Sequence, residues 1–159
     1  KSGFPELCSD GKAGCVQVTA LSTVKVSDFF KTVTPQWPAY YITFYNYKIC
    51  GELPGIFGRD EALDIKALHH IHLAADSVQE AKWRRTKLQS RRTNSIGQPE
   101  NDYWLIYAYD DYKDEYLLLT IVGPDAHSRK EWGSYLRDIK AQIVDPWVNG
   151  KVEYPEVEL

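Results

Sequence analysis

Three of the four histidines in this 159-residue chain lie within four positions of one another. They belong to the apolar run 67–74, which predicts a short buried strand. Side chains alternate between the two faces of a strand, so His70 and His72 share one face, roughly 6–7 Å apart. His69 points with Ile71 to the other face. Two imidazoles are therefore predicted on one surface of a sheet.

The fourth histidine, His127, follows a second predicted strand and can meet His70 and His72 at one end of a sheet. Histidine titrates nearest to neutral pH, so such a cluster can supply both a general acid and a general base. This chemistry fits RNA cleavage, in which a base takes the 2′-hydroxyl proton and an acid protonates the leaving 5′-oxygen. Two other interpretations stay open: hydrogen-bonded core histidines, and a three-histidine metal site. We favour catalysis without a metal or other cofactor, because no carboxylates stand at ligand spacing.

Metal-free cleavage needs a fixed cation to stabilise the phosphorane oxygens. Arginine suits this role because its planar guanidinium matches phosphate geometry. Arg92 is the predicted phosphate clamp, with Thr93 beside it at the entry to a loop. Arg59 is the second candidate, and its alternative role is an ion pair that holds its own loop.

The segment 82–92 contains six basic residues and no acid, although the whole chain has a net charge of -3. Binding to RNA must therefore rest on this local patch rather than on the overall field. A solvated helix face is the alternative interpretation. The predicted RNA contacts are Arg59, Lys82, Arg84, Arg85, Lys87 and Arg91.

Length and composition exclude several classes of protein. Aromatic residues make up 13% of the chain, which excludes general disorder. The longest aliphatic stretch, 117–122, is too short to cross a membrane, so no membrane partner is predicted. The glycine-rich nucleotide-binding motifs and the G-x-S-x-G nucleophile motif are absent from the sequence. Three cysteines and no signal-peptide pattern predict free thiols in a reducing, cytoplasmic setting, with a Cys8–Cys15 bridge as the alternative.

The predicted fold class is α+β, a single domain with a mainly antiparallel sheet and packed helices. Alternating or buried apolar segments predict strands at 16–20, 24–26, 67–74, 102–109 and 115–122, with a hairpin turn at 110–114. The glycine-rich and proline-rich segment 51–60 is predicted to be a loop anchored by Ile56 and Phe57. Residues 1–20 are predicted to be an N-terminal loop or extension, 21–146 the toxin-like catalytic domain, and 147–159 an acidic C-terminal tail.

Three helices are predicted from capping residues and apolar spacing. The first begins at a Thr34 cap, ends at Gly51 and turns an aromatic stripe to the core: Trp37, Tyr40, Tyr41, Phe44 and Tyr47. The second is capped by Asp76, or by Ser77 in a capping box with Glu80, and carries the basic segment. The third runs from 125 to 143, where Asp145-Pro146 stops it.

Short motifs recur in a characteristic order over roughly residues 24–132: Tyr47-Lys48, Gly51–Asp60, His70–Ala74, Arg92-Thr93-Asn94, Trp104–Tyr107, Tyr116–Leu119 and Pro124–His127. In this order they resemble the YafO family, the toxin halves of bacterial type II toxin–antitoxin pairs. The resemblance implies an endoribonuclease that cuts messenger RNA in association with the ribosome and so inhibits translation. It also implies a cognate antitoxin as partner.

The positions that match the family are Arg59, Asp60, His70, His72, Arg92, Thr93, Tyr107 and His127. The match does not say which of them are catalytic; the acid–base argument selects the three histidines with Arg92. The family keeps an acidic residue directly after Arg-Thr-Asn, whereas Ser95 stands there in this chain and 96–101 intervene before Asp102.

The flanking segments 1–20 and 147–159 fall outside the resemblance. They leave room for a different setting, in which the toxin is one domain of a secreted effector and an immunity protein neutralises it. A second alternative is a non-enzymatic binding protein whose histidines are structural.

Overall fold

The computed structural model describes residues 5–8, 22–94, 97–128 and 130–159. The strands are β1 (Thr23–Val26), β2 (Phe57–Ala62), β3 (Leu68–Leu73), β4 (Tyr103–Asp110) and β5 (Glu115–Val122). The helices are α1 (Asp28–Val33), α2 (Trp37–Lys48), α3 (Ser77–Arg85), α4 (Lys130–Ile139) and α5 (Asp145–Val148). Short 3₁₀ turns span Gln89–Arg91 and Pro99–Asn101, and a π-helical turn, Lys140–Val144, links α4 to α5.

The strands form one five-stranded sheet in the order β1-β5-β4-β3-β2. The pairs β2·β3, β3·β4 and β4·β5 are antiparallel, whereas β1 pairs in parallel with β5. A tight turn at 111–114 joins β4 to β5, and strands joined so closely must run antiparallel. The α+β class and the mainly antiparallel sheet are therefore confirmed.

Each face of the sheet has its own hydrophobic core. On one face, Tyr41 and Phe44 of α2 pack with Ile71 and Tyr107 of the central strands. On the other face, Leu136 and Ile139 of α4 pack over the sheet together with Val144 and Trp147. The aromatic stripe of α2 is thus a core element, as its spacing predicted.

The helices differ from the prediction in several places: α1 has no predicted counterpart, and α4 begins at Lys130 rather than at 125. Helix α2 begins at Trp37 after Gln36, because Thr34 instead ends α1, where its amide donates to the Phe30 carbonyl at 2.9 Å. The C-terminal helix continues through Asp145-Pro146. Proline is tolerated there because it lies in the first turn of α5, where its missing N–H is not needed.

The remaining predicted elements agree with the structure only in part. Helix α3 is capped by Asp76, whose side chain accepts from the Gln79 amide at 2.8 Å, so Asp76 rather than Ser77 is the cap. The segment predicted as a loop to residue 60 becomes strand β2 at Phe57, which pairs with Leu73. The predicted strand at 16–20 and the turns before it lie outside the described residues. The segment 147–159 carries buried Trp147 into the second core.

A disulfide joins Cys8 to Cys50 at the end of α2, with their Cα atoms 6.5 Å apart. The prediction of free thiols is therefore wrong for these two cysteines, and the alternative Cys8–Cys15 pairing is wrong as well. The signal was missing because the partners are 42 residues apart and only the fold brings them together. Cys15 lies outside the described residues. None of the helices in the described part of the chain is long and apolar enough to span a membrane.

Candidate active site

An open cavity of about 390 Å³ lies at the end of the sheet where β3 finishes and β4 begins. Its walls come from β2, from β3 and from the loops that precede β4 and follow β5. The residues that line it are Arg59, His72, Thr93, Asn94, Pro99, Asp102, Asp125, His127 and Ser128. Four of the predicted site residues, Arg59, His72, Thr93 and His127, therefore meet in one cavity.

The strand register brings the imidazoles together around one indole. His72 of β3 lies opposite Trp104 of β4, and the His127 ring packs edge-on against that indole at 4.8 Å between centroids. The centroids of His72 and His127 are 5.3 Å apart, as are those of His70 and His72. The predicted meeting of His70, His72 and His127 at one end of the sheet is confirmed as geometry.

His70 differs from the other two because it does not line the cavity. Its ring lies behind His72, packs on Trp104 at 4.1 Å between centroids, and its Nδ1 contacts the Glu61 carbonyl at 3.0 Å. Burial lowers the pKa of His70, although the Glu61 carbonyl partly opposes that shift. The structure therefore gives His70 a packing position behind His72, outside the residues that line the cavity.

His127 is held by a buried carboxylate that the sequence left unassigned. Its Nδ1 lies 2.6 Å from Asp102 Oδ2, and its backbone amide donates to the same oxygen at 2.9 Å. Asn94 Nδ2 donates to the other oxygen of Asp102 at 3.2 Å. Burial raises the pKa of Asp102, but hydrogen bonds from His127 and Asn94 outweigh it and hold the pKa below its ordinary value.

An ionised carboxylate only accepts hydrogen bonds, so Asp102 fixes the proton of His127 on Nδ1. The other ring nitrogen, Nε2, is then the atom that can exchange a proton. The His127 side chain is 53% exposed, so a molecule in the cavity can reach this nitrogen. Histidine held by aspartate in this way is a recurrent arrangement for proton transfer.

The loop that carries His127 is fastened to the segment before β4 by backbone hydrogen bonds. The Asp125 amide donates to the Pro99 carbonyl at 2.8 Å, and the Ala126 amide donates to the Asp102 carbonyl at 3.2 Å. Since Asp102 belongs to that same segment, histidine and carboxylate are fixed as one unit.

His72 is nearly inaccessible, with 2% of its surface exposed. Burial, reinforced by neighbouring His70, His127 and Arg59 against an opposing effect of Asp102, lowers its pKa to about 3. The ring is therefore uncharged near neutral pH. Its Nδ1 is buried and has no hydrogen-bond partner among the described residues.

We expect His72 to make the fold sensitive to acid. Its pKa falls from 6.5 to about 3 on folding, so below about pH 6.5 the unfolded chain binds a proton that the folded chain does not. Stability is thus lost as the pH falls, by up to about 1.4 kcal/mol per pH unit for this group. Urea unfolding of His72→Gln between about pH 6.5 and 4 should show a shallower slope than the parent. An equally steep slope in the variant would contradict this expectation.

The two candidate arginines occupy different environments. Arg59 is 39% exposed on its side chain, lines the cavity, and its Nε donates to the Ser90 carbonyl at 3.1 Å. Arg59 also lies 3.9 Å from Glu61, an ion pair that is half-exposed and thus weak. Its guanidinium is the cation that the cavity can offer to a phosphate.

Arg92 is buried, with 4% of its surface exposed, and it does not line the cavity. Its guanidinium donates to the carbonyls of Thr86, Pro54 and Phe57 at 3.0, 2.8 and 3.0 Å. These bonds tie Arg92 to two segments of backbone, the loop 54–57 and the end of α3 at Thr86. Three of the five N–H donors of Arg92 thus hold the scaffold together, and Arg92 does not stand at the cavity where the predicted phosphate clamp would act.

Glycine at position 58 brings the two arginine segments into contact. A Cβ at Gly58 would collide with the Arg92 carbonyl oxygen and with the Trp83 ring. The neighbouring Arg59 amide donates to the same carbonyl at 2.9 Å. Only glycine allows this approach, which sets Arg59 beside Thr93.

The predicted basic patch is divided among different surfaces. Lys82, Arg84 and Arg85 lie on α3, and Arg91 lies in the following 3₁₀ turn. All of these, and Lys87, are exposed. None of the five lines the cavity that contains His72 and His127.

A separate polar cluster occupies the opposite face of the sheet. Asp60 accepts from the hydroxyls of Tyr47 and Tyr107 at 2.7 and 2.8 Å and from Lys48 at 2.9 Å. His69 stacks on Tyr107 at 5.0 Å between centroids. Two of the family-matching positions, Asp60 and Tyr107, therefore hold α2 to the sheet rather than line the cavity.

His72, Asp102 and His127 could also hold a metal ion, since one ligand atom from each lies within 4.8 Å of the others. Two imidazoles and a carboxylate are a known ligand set for transition metals. Binding would use Asp102 oxygens that now accept from Asn94 and His127. This set replaces the three-histidine site considered from the sequence.

The fold and the cavity define an α+β protein with a histidine–aspartate pair, a neutral buried histidine and one arginine at the end of a sheet. The family model described as toxin YafO of the type II toxin–antitoxin system matches residues 45–149. This span exceeds half of the chain and contains all four of those side chains, so the chain belongs to the YafO toxin family. Toxins of this type have a cognate antitoxin as partner. Comparisons with curated proteins and with solved structures gave no significant match.

Proposed function

We propose that this toxin is a metal-independent endoribonuclease that cuts messenger RNA, with the ribosome as a further partner, and so inhibits translation. The observation that carries the proposal is the cavity in which the Asp102–His127 pair faces neutral His72, 5.3 Å away between ring centroids, beside Arg59. These are the groups that RNA self-cleavage through the 2′-hydroxyl requires.

In the proposed reaction, neutral His72 takes the proton from the 2′-hydroxyl, and that oxygen attacks the adjacent phosphorus. His127 donates a proton to the 5′-oxygen as the P–O5′ bond breaks. The products are a 2′,3′-cyclic phosphate and a free 5′-hydroxyl. His72 is the base because only an uncharged ring can accept a proton, and the bound phosphate favours its charged form. His127 is the acid because Asp102 accepts from its Nδ1, which leaves Nε2 as the ring nitrogen that delivers the proton.

Arg59 stabilises the phosphorane oxygens in this scheme, with Thr93 on the same wall. Negative charge accumulates on those oxygens in the transition state, where a fixed guanidinium acts most strongly. Arg59 thereby takes the role predicted for Arg92.

Product analysis tests the proposal directly. We expect the purified chain to cut single-stranded RNA or ribosome-bound messenger RNA, to leave 2′,3′-cyclic phosphate ends, and to keep its activity in EDTA. The assay is run with and without ribosomes. Loss of activity in EDTA and recovery with zinc would instead favour a metal held by His72, Asp102 and His127.

The Cys8–Cys50 disulfide favours a second setting for the same chemistry. Structural disulfides persist in oxidising compartments and are rare in the cytoplasm. In this setting the chain is a toxin domain delivered from outside, and an immunity protein takes the place of the antitoxin; its site of action remains the cytoplasm. Thiol labelling of the protein isolated from its native cells separates the two: a blocked Cys8–Cys50 pair supports export, and free thiols support a cytoplasmic toxin.

A further inference from the structure

A second groove, of about 570 Å³, adjoins the candidate active site. It lies between the start of α3 and the segments around 91–94 and 98–101. Thr93 and Asn94 line both the groove and the active-site cavity, so these two residues form the shared wall. A chain molecule bound in the cavity can therefore continue directly into the groove.

The groove is lined by the groups that bind phosphates and base edges. Lys82 and Arg91 supply two cations, and Gln98 and Asn101 supply side-chain amides. Among the described residues that line it, Asp76 is the one acid, and its carboxylate accepts from the Gln79 amide as the cap of α3. Cations bind phosphates without regard to sequence, whereas amides hydrogen-bond to bases.

Asn94 gives an independent indication that a ligand belongs at the shared wall. Only 7% of its surface is exposed, and its Nδ2 donates to Asp102, which only accepts. Its carbonyl oxygen is consequently the free end of the amide, and this buried atom has no partner among the described residues. A buried acceptor without a donor costs about 1–3 kcal/mol. A rotation of this side chain toward the groove would let a ribose hydroxyl or a base amino group supply the missing donor.

The other cations of α3 lie elsewhere. Arg84 donates to Glu80 at 2.6 Å and lines different grooves, next to Pro54. Residues two positions apart on a helix point to nearly opposite sides, which separates Lys82 from Arg84. The basic segment therefore offers two distinct faces, and only one of them borders the active site.

We propose that this groove binds the nucleotide next to the scissile phosphate, with Lys82 and Arg91 on its phosphates and the amides on its base. The inference rests on the proposed ribonuclease function and adds a specific binding subsite to it. It also divides the basic segment: Lys82 and Arg91 contact RNA directly, and Arg84 does not.

Binding of a labelled single-stranded RNA of about ten nucleotides tests the subsite. A His127→Ala chain serves as parent, so that the RNA stays intact. Lys82→Ala/Arg91→Ala should weaken binding about tenfold and reduce the slope of log K against log salt by about 1.4, the loss of two phosphate contacts. Lys66→Ala/Lys151→Ala removes the same charge from exposed positions outside the groove and should leave the slope unchanged. Lys82→Gln/Arg91→Gln repeats the test if the alanine variant folds poorly.

Two results would overturn the subsite. One is an equal effect of Lys82→Ala/Arg91→Ala and Lys66→Ala/Lys151→Ala on RNA binding. That result would mean that binding depends only on the overall charge. The other is an Arg84→Ala/Arg85→Ala pair as damaging as Lys82→Ala/Arg91→Ala, which would mean that RNA lies across the whole basic segment. In either case RNA cleavage by the unmodified chain would stand, whereas failure of the proposed function would appear as no RNA cleavage at all.

Discussion

Replacing His127 with alanine is expected to reduce RNA cleavage by about 10²–10⁴-fold, the usual effect of losing a general acid or base. Growth arrest on expression should disappear in parallel. The fold should persist, because the His127 side chain is 53% exposed. Cleavage rates and thermal melting of the same preparations separate the two effects. A variant that keeps nearly the parental rate would remove His127 from the mechanism.

Asp102→Asn should cause a comparable loss although it preserves the shape of the site. An amide can donate to His127 Nδ1 and so reverse the tautomer, which places the proton on the wrong nitrogen. The matched control is His69→Gln, since His69 lies on the opposite face of the sheet against Tyr107. That variant should cleave at the parental rate. A large loss with His69→Gln would indicate a general response of the fold rather than a specific one.

The parts of the fold that could be predicted are those set by local pattern. The apolar composition of 68–73 and 115–122 predicts these two strands. A short polar turn joins β4 to the strand at 115–122. Strand β2 was missed because Gly58 and the charged residues after it have low strand propensity. Its conformation comes from pairing with β3 and from the close approach of the Arg92 backbone, and neither is visible in the local sequence.

The histidine geometry was predictable for a similar reason. Alternation along one strand places His70 and His72 on one face without any knowledge of the tertiary structure. The alternation of side chains does not predict which of the two histidines lines the cavity. In the structure it is His72. Asp102 was not assigned because the family's acidic residue directly follows Arg-Thr-Asn, whereas here several residues intervene. Only the tertiary structure brings Asp102 Oδ1 within 3.2 Å of Asn94 Nδ2.

Arg92 shows where reasoning from residue type fails. A guanidinium beside a polar loop fits phosphate binding and carbonyl binding equally well, and the sequence contains nothing that decides between them. The deciding fact is burial: carbonyls of Thr86 and of the loop 54–57 already accept from three of its five N–H donors. The same comparison makes Arg59 and Arg92 a discriminating pair for experiment.

Arg92→Ala is expected to destabilise the fold, because it leaves three carbonyls without their charged donor. Each buried acceptor that loses its partner costs about 1–3 kcal/mol, so the total is several kcal/mol. For a chain of this length a loss of about 4 kcal/mol lowers the melting temperature by roughly 10 °C. Arg92→Lys should recover little, since one ammonium cannot span the three carbonyls that the guanidinium reaches. Thermal melting measures both variants.

Arg59→Ala is expected to slow RNA cleavage and to leave the fold stable, the reverse of the effect of Arg92→Ala. Its half-exposed side chain contributes little to stability, so the melting temperature should change by only a few degrees. Cleavage per folded molecule should fall by about 10²–10³-fold, as when a donor to a developing negative charge is removed. Arg59→Lys should recover part of the rate, because charge remains but the planar fork is lost. Two opposite results together would contradict this assignment: a lower melting temperature with an unchanged cleavage rate for Arg59→Ala, and a lower cleavage rate with an unchanged melting temperature for Arg92→Ala. Arg59 would then stabilise the scaffold and Arg92 would bind the phosphate.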